Sequence, residues 1–254
     1  AIINPDVRGA YRSEGVILFF GSDYGRDGAD IIEWAATQSW CNGKLGMSGN
    51  SWLAVSQWFT AAQQPEHLAA IAPWEGLNDC YRAIATRSGV MMPEFVKMLS
   101  DSFASTEEGG IEDCISIMNS QPIMDDYWRD KEADLEKITV PAYIVASYTN
   151  PIHTYGSLEG FRRISSANKW LRIHNTGEWD DYYNVEHTED LRRFFDRYLM
   201  DADNGWESTP KVRLSVLNPG GKDVIDRAED DFPIPRTRYR RLYLDGGKNA
   251  LSEA

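Results

Sequence analysis

The sequence is poor in cysteine and lacks any long apolar run. Its three cysteines, Cys41, Cys80 and Cys114, form no Cys-x-x-Cys pair. So small and odd a set is typical of reduced thiols in a cytoplasmic protein, and this is the location that we expect. No apolar stretch reaches transmembrane length, so we expect no membrane partner.

Positive charge is also scarce, because 26 Lys and Arg stand against 39 Asp and Glu, for a net charge of −13. Such acidity argues against nucleic acid and anionic membranes as partners. The 254 residues are 42% hydrophobic and 26% charged, which is ordinary for a soluble protein with one α/β domain or slightly more. Nine Trp and twelve Tyr provide bulk for a core and for an aromatic-lined pocket.

The most informative stretch is residues 44–64. It begins as a short apolar strand, turns through Gly49 and Asn50, and continues as a helix with apolar residues at helical spacing. Ser51 lies at the turn, and a strand that breaks sharply into a helix around a serine has the shape of a nucleophile elbow. The backbone N–H of Trp52 would then lie at a helix N-terminus, where a developing oxyanion is stabilised.

Two serines compete for the role of nucleophile. Ser48 still lies within the strand run, whereas Ser51 lies at the strand–helix junction, so we favour Ser51. The strict Gly-x-Ser-x-Gly pattern fails at both serines, because Asn50 and Leu53 stand where the second glycine is wanted. On the local sequence alone, Ser51 is explained equally well as the N-cap of the helix.

Strands and helices alternate along most of the chain, which predicts an α/β fold with a parallel sheet covered on both faces. The predicted strands are residues 2–4, 44–47, 68–73, 140–146 and 169–174. Besides the helix after Ser51, helices are predicted within residues 25–39 and over residues 157–165 and 191–200.

Two segments depart from this alternation. Residues 79–136 are helical and irregular, and as an insertion between two strands they would form a cap over the strands' C-terminal ends. After residue 205, the segments 212–217 and 240–244 alternate like antiparallel strands. We therefore predict a core over residues 1–205 with a helical cap, followed by the beginning of a β-rich domain over residues 206–254.

A series of motifs identifies a family resemblance. The matching pieces are Asp6-Val-Arg-Gly, Ser13-Glu-Gly, Asp27-Gly-Ala-Asp, Gly49-Asn-Ser-Trp-Leu-Ala, Arg193-Phe-Phe-Asp and Pro210-Lys-Val-Arg-Leu. Together they make the chain resemble the CocE/NonD hydrolases, the group of cocaine esterase, α-amino-acid ester hydrolases and X-Pro dipeptidyl-peptidases. The resemblance implies an α/β-hydrolase core, a helical cap and a C-terminal jelly-roll, with Ser51 as the nucleophile.

The resemblance also implies that segments at both ends are absent, among them the one that carries an oxyanion-hole tyrosine. The two positions that support the nucleophile differ from the family. The position of the acid is Thr149, with Asn150 beside it, and the position of the His, in a Gly-Pro-Trp-x-His pattern, is Asp181. Neither Thr149 nor Asp181 can do the work of the residue that it replaces.

Another histidine must therefore serve if the chain is a serine hydrolase. His174 ends the last core strand and is our preferred base, and His153 is the second choice; a structural role is open for both. His67 and His187 are interpreted as structural or solvated. Carboxylates that could orient the base are Asp181, Asp180, Glu75 and Asp79.

Aromatic residues cluster in the same loops and could line a substrate pocket. They are Trp52, Trp74, Tyr148, Tyr155, Trp179, Tyr182 and Tyr183. The leading hypothesis is a serine hydrolase that cleaves a small-molecule ester or amide, without metal or organic cofactor. The alternatives are a degenerate hydrolase fold that binds a small molecule or partner, and a non-acyl, lyase-like or isomerase-like chemistry using carboxylates. A homo-oligomer is left open.

Overall fold

The chain builds a central sheet with helices packed on both of its faces. The computed structural model describes residues 1–87, 89–103 and 110–253. The strands described are β1 (Val16–Ile17), β2 (Leu45–Asn50), β3 (Leu68–Trp74), β4 (Thr86–Arg87), β5 (Val90–Met91), β6 (Gly110–Ile111), β7 (Ala142–Ser147), β8 (Lys169–His174), β9 (Val212–Val216), β10 (Val224–Glu229), β11 (Tyr243–Asp245) and β12 (Ala250–Ser252).

The helices connect these strands and cover the sheet. The α-helices described are α1 (Ser22–Ala36), α2 (Trp52–Ala61), α3 (Pro93–Phe103), α4 (Cys114–Ser120), α5 (Asp126–Asp130), α6 (Thr154–Arg163), α7 (Glu178–Tyr182) and α8 (Val185–Met200). A π-helical turn spans Tyr81–Ala85, and short 3-10 turns span Leu135–Lys137 and Trp206–Ser208. Over the described residues, no helix is long and apolar enough to cross a membrane.

The central sheet has the strand order β10–β9–β8–β7–β3–β2. Strands β2, β3, β7, β8 and β9 run parallel, and β10 pairs antiparallel with β9. The predicted α/β-hydrolase fold is confirmed. Because parallel strands end at the same edge, the loops after β2, β3, β7 and β8 meet there, where sites of α/β proteins form.

Each face of the sheet carries its own apolar cluster. On one face, Trp58 of α2 and Phe161 of α6 pack with Ile71 and Ile144 of the sheet. On the other face, Trp74, Tyr143 and Trp170 pack with Phe194 of α8 and with Trp206. Strands that are buried on both faces have continuous apolar sequences, and for this reason they could be predicted from the sequence.

The insertion, residues 79–136, lies between β3 and β7 as predicted and carries α3, α4 and α5. Within it, residues 88 and 104–109 lie outside the described residues. Arg87 donates a hydrogen bond to the carbonyl oxygen of Pro151, in the loop after β7. The insertion therefore reaches the edge of the sheet at which the parallel strands end.

The N-terminal end of the chain differs from expectation, whereas the β-strands predicted after residue 205 are present. No strand forms over residues 2–4, and the prediction of one was wrong: Ile2 is 90% exposed, and this segment pairs with no strand of the described residues. The first described strand is β1, which pairs with β6 of the insertion. After residue 205, β9 and β10 continue the central sheet, and β11 and β12 pair with each other; residue 254 lies outside the described residues.

Candidate active site

Ser51 occupies a sharp, strained turn between β2 and α2. Its φ of 53° and ψ of −121° lie in a region that side-chain-bearing residues rarely adopt. Its backbone N–H donates to the carbonyl oxygens of Trp74 and Glu75, at 3.2 and 3.1 Å, which fixes the turn against the end of β3. The Ser51 side chain makes no capping hydrogen bond, so the N-cap explanation does not account for it.

Small residues around the turn make this geometry possible. Gly49 has a φ of 142°, and a Cβ there would lie 2.4 Å from the Cβ of Leu53. A Cβ on Gly76 would lie 2.7 Å from the Cβ of Ala54. Ser48, the competing serine, lies within β2, paired in register with Ala72. Ser51 is thus the serine that the structure places at the strand–helix junction.

The Ser51 hydroxyl contacts His153, which precedes α6 in the loop after β7. The Oγ of Ser51 lies 3.1 Å from Nε2 of His153. The other ring nitrogen, Nδ1, accepts a hydrogen bond of 3.1 Å from the backbone N–H of Leu77. An N–H can only donate, so Nδ1 carries a lone pair and the neutral ring holds its proton on Nε2. His153 therefore donates to Ser51 in this geometry.

Burial reinforces the neutral state of His153. The side chain is almost fully enclosed, and desolvation lowers its pKa from 6.5 to about 4. A proton added at Nδ1 would also point at the N–H of Leu77. The polarity of this pair is thus opposite to that of a histidine taking the proton of a serine nucleophile.

A carboxylate connects β2, the strand that leads to Ser51, with the loop after β7 that carries His153. The two oxygens of Glu178, the first residue of α7, accept hydrogen bonds from Asn50 Nδ2 at 2.6 Å and from Asn150 Nδ2 at 2.7 Å. Asn50 directly precedes Ser51, and Asn150 Oδ1 accepts the backbone N–H of His153 at 3.2 Å. Burial, followed by the negative charge of Glu75, raises the pKa of Glu178 to about 7. We call Glu178, Asn50 and Asn150 the amide–carboxylate clamp.

His174, the preferred base of the sequence analysis, has other partners. Its Nε2 lies 2.8 Å from Oε1 of Glu75, and its Nδ1 lies 3.0 Å from Oγ1 of Thr176. Glu75 is fully buried with a φ of 55°, and its Oε2 has no hydrogen-bond partner among the described residues. His153, the second choice, is the histidine that lies against Ser51.

Asp181 belongs to a buried ion pair. Arg172 of β8 donates to both oxygens of its carboxylate, and Trp74 Nε1 donates to Oδ2 at 3.1 Å. Burial would raise the pKa of Asp181, but hydrogen bonds from His187 and Arg172 outweigh it and hold this pKa well below its usual range. Nδ1 of His174 lies 3.5 Å from Asp181, too far for a good hydrogen bond. Asp181 thus anchors α7 to the sheet.

The other predicted acids also lie away from Ser51's hydrogen bond. Asp79 accepts the backbone N–H of Arg82 at 2.9 Å and its guanidinium, and Asp180 is exposed. Thr149 Oγ1 lies 2.6 Å from Ser147 Oγ and donates to the carbonyl oxygen of Thr176 at 3.0 Å. Within the described ranges, no group of three or more His, Cys, Asp and Glu side chains could hold a metal ion.

The predicted pocket aromatics divide into two groups. Trp74 is fully buried in the apolar cluster on the face of the sheet that α8 covers, so its assignment to a pocket was wrong. Tyr182 packs edge-on against Trp74, with ring centroids 5.2 Å apart. Tyr148, Tyr155 and Trp179 are each about half exposed, and Trp179 stacks with Tyr183.

Trp52 is tied to the first segment of the chain. Its indole N–H donates to the hydroxyl of Tyr24 at 2.8 Å, and its ring packs against Phe19 and Phe20. The oxyanion role of its backbone N–H stays a prediction.

Sequence reasoning missed Glu178. A signal was available, because Glu178 takes the place of Pro in the family's Gly-Pro-Trp pattern, and a carboxylate there changes the chemistry of the loop. Its importance depends on two asparagines, one at the end of β2 and one in the loop after β7, and only the folded sheet brings these together.

Comparison with known proteins identifies the families that the chain is similar to. Residues 1–110 match the X-Pro dipeptidyl-peptidase (S15) family, and residues 204–254 match the X-Pro dipeptidyl-peptidase C-terminal non-catalytic domain. The sequence is 26% identical to cocaine esterase from Rhodococcus sp., with 97% of this chain and 52% of that protein covered. It is 29% identical to a putative serine esterase from Mycobacterium bovis, with 100% of this chain and 52% of that protein covered.

A solved structure gives a stronger match. A CocE/NonD family hydrolase from Staphylococcus aureus has a TM-score of 0.93 and 37% sequence identity, covering 97% of this chain and 45% of that chain. The chain spans about half the length of the curated relatives that it matches. On its motifs, its fold and these matches, the chain belongs to the CocE/NonD family of hydrolases.

Proposed function

We propose that the protein is a serine hydrolase that cleaves an ester or amide by acyl transfer, with Ser51 as the nucleophile. The observation that carries the proposal is the hydroxyl of Ser51, held at a strained elbow 3.1 Å from Nε2 of His153. A serine raised on such a turn, beside an imidazole, is the arrangement that nucleophilic catalysis needs.

The reaction requires a change at His153. To accept the hydroxyl proton, Nε2 must present its lone pair, so the ring proton must move to Nδ1 and the hydrogen bond from Leu77 must break. The Ser51 oxygen then attacks the carbonyl carbon of the substrate, and the alcohol or amine leaves with the proton from His153. Water hydrolyses the resulting acyl-enzyme by the reverse transfers.

The substrate class follows from the site and from the relatives. The proposed substrate is a small-molecule ester or amide, because the described relatives are named as esterases or peptidases. The half-exposed aromatics Tyr148, Tyr155 and Trp179 would line its binding site. A net charge of −13 disfavours nucleic acid as a substrate.

A fluorophosphonate probe tests the proposal, because it labels only an activated serine. We expect labelling of the intact protein at Ser51, its loss in Ser51→Ala, and its retention in Ser48→Ala, the matched control from the preceding strand. Absence of labelling in the wild-type protein would favour a binding protein with a hydrolase fold. Labelling that persists in Ser51→Ala would place the nucleophile elsewhere.

A further inference from the structure

The clamp connects the end of β2 with the loop after β7, and these two segments meet only in the folded sheet. Asn50 is the last residue of β2 and the neighbour of Ser51, and Asn150 lies in the loop after β7 that ends at His153. Glu178 accepts one amide hydrogen bond from each, at 2.6 and 2.7 Å. One carboxylate thus spans from β2 to the loop that carries His153.

The orientation of the Asn150 amide is fixed by the backbone. Its Oδ1 accepts the N–H groups of Ile152 and His153, at 3.0 and 3.2 Å. Backbone N–H groups cannot accept, so the oxygen must face them and Nδ2 must face Glu178. Only an acceptor at position 178 fits this arrangement on the Asn150 side.

From this geometry we propose that Glu178 is a positioning residue of the hydrolase: its carboxylate holds Asn50 and Asn150 so that Ser51 and His153 stay in hydrogen-bond contact. The proposal rests on the proposed function of Ser51. Glu178 acts through the two amides and touches neither reacting group in the described contacts.

Ionisation of Glu178 controls the strength of the clamp. Amide donors bind a carboxylate more strongly than a protonated carboxyl, whose O–H would face one of the two amide N–H groups. Besides the amides of Asn50 and Asn150, Glu178 faces the negative charge of Glu75, which is paired with His174. Burial and this charge raise the pKa of Glu178 to about 7, so the clamp loosens as pH falls through neutrality.

Burial moves the titration of the histidine below this pH range. In a serine hydrolase, loss of activity on the acid side of neutrality is ordinarily the protonation of the catalytic histidine. Here burial lowers the pKa of His153 to about 4, well below the value for Glu178. An acid limb near pH 7 in the activity profile would therefore report on the carboxylate.

The test compares kcat/KM for an activated ester, p-nitrophenyl acetate, between about pH 5 and pH 9 in three proteins. They are wild type, Glu178→Gln and the control Glu186→Gln, which alters an exposed glutamate at the start of α8. The Gln side chain keeps the shape of Glu but places its NH₂ group against the side-chain amide of one of the two asparagines. We expect Glu178→Gln to lose about tenfold or more in kcat/KM at alkaline pH and to lack the limb near pH 7. The Glu186→Gln control should keep the wild-type kcat/KM at alkaline pH and the acid limb near pH 7.

Independent readouts separate the inference from the proposed function. Carboxyl ¹³C NMR should show Glu178 titrating near pH 7, and the side-chain NH₂ signals of Asn50 and Asn150 should move with it. An unchanged acid limb in a folded Glu178→Gln protein overturns the positioning role while fluorophosphonate labelling of wild type still supports Ser51. If wild type is neither labelled nor active, the proposed function fails and the positioning role fails with it, even where the NMR titration shows the clamp.

Discussion

Replacing His153 by Gln should change how the stability of the protein depends on pH. Burial lowers the pKa of His153 from 6.5, its ordinary value, to about 4. Between these values the unfolded chain binds a proton that the folded chain does not. The neutral ring's contribution to the free energy of unfolding is therefore complete above about pH 6.5 and is lost as pH falls toward 4. By linkage the loss is about 2 kcal/mol at about pH 5 and about 3 kcal/mol once pH falls below the folded value.

The assay is urea unfolding of wild type and His153→Gln at about pH 7.5 and pH 5. Groups common to both proteins cancel in the comparison, so the difference in free energy of unfolding isolates the histidine. We expect wild type to lose about 2 kcal/mol relative to the variant between the two pH values. A difference that is the same at both pH values would refute the reasoning, because the buried ring would then titrate as it does in the unfolded chain.

Three further predictions concern the ring proton, the ion pair and one close contact. Selective ¹⁵N NMR at neutral pH should find the proton of His153 on Nε2, because Nδ1 accepts a backbone N–H; a proton on Nδ1 would contradict the hydrogen-bond assignment. Arg172→Met should destabilise the protein by about 3–5 kcal/mol, because the buried Asp181 carboxylate loses its ion-pair partner. Adding Asp181→Leu should recover part of this loss but not all of it, because Trp74 Nε1 then loses its acceptor; equal unfolding midpoints for the single and double variants would contradict this. Gly156→Ala should lower the melting temperature because its Cβ would lie 2.6 Å from a backbone atom, whereas Gly246→Ala, with nothing within 4 Å, should not; equal melting temperatures would show that the contact relaxes.

The strands of the sheet were predicted well from the sequence, because strands that are buried on both faces form continuous apolar runs. The strand over residues 169–174 was predicted with the bounds that β8 has, and β3 and β7 each begin or end within two residues of expectation. Residues 2–4 show the limit of this reasoning. An apolar run favours a strand only where a neighbouring strand is available, and availability is a property of the fold.

The candidate site was only partly predictable, for a related reason. Ser51 is marked by its own turn, and local sequence suffices to find it. The histidine that contacts it is 102 residues away in the chain, and the contact depends on how the loop after β7 meets the turn after β3. Closeness to the family position favoured His174, but its strand directs it to Glu75 instead. The contacts of Glu178 depend on three separate segments, which are the start of α7, the end of β2 and the loop after β7. No local sequence pattern encodes their meeting.

The position of the insertion has a consequence for how this part of the chain can change. β3 and β7 are neighbours in the sheet, so the insertion leaves and re-enters at adjacent strands. The entropy of closing such a loop grows only with the logarithm of its length, by about 0.6 kcal/mol for each doubling. The insertion can thus lengthen, shorten or change sequence at little cost to the sheet that supports Ser51. The part of the chain that reaches the edge where the parallel strands end can diverge while the strands stay the same.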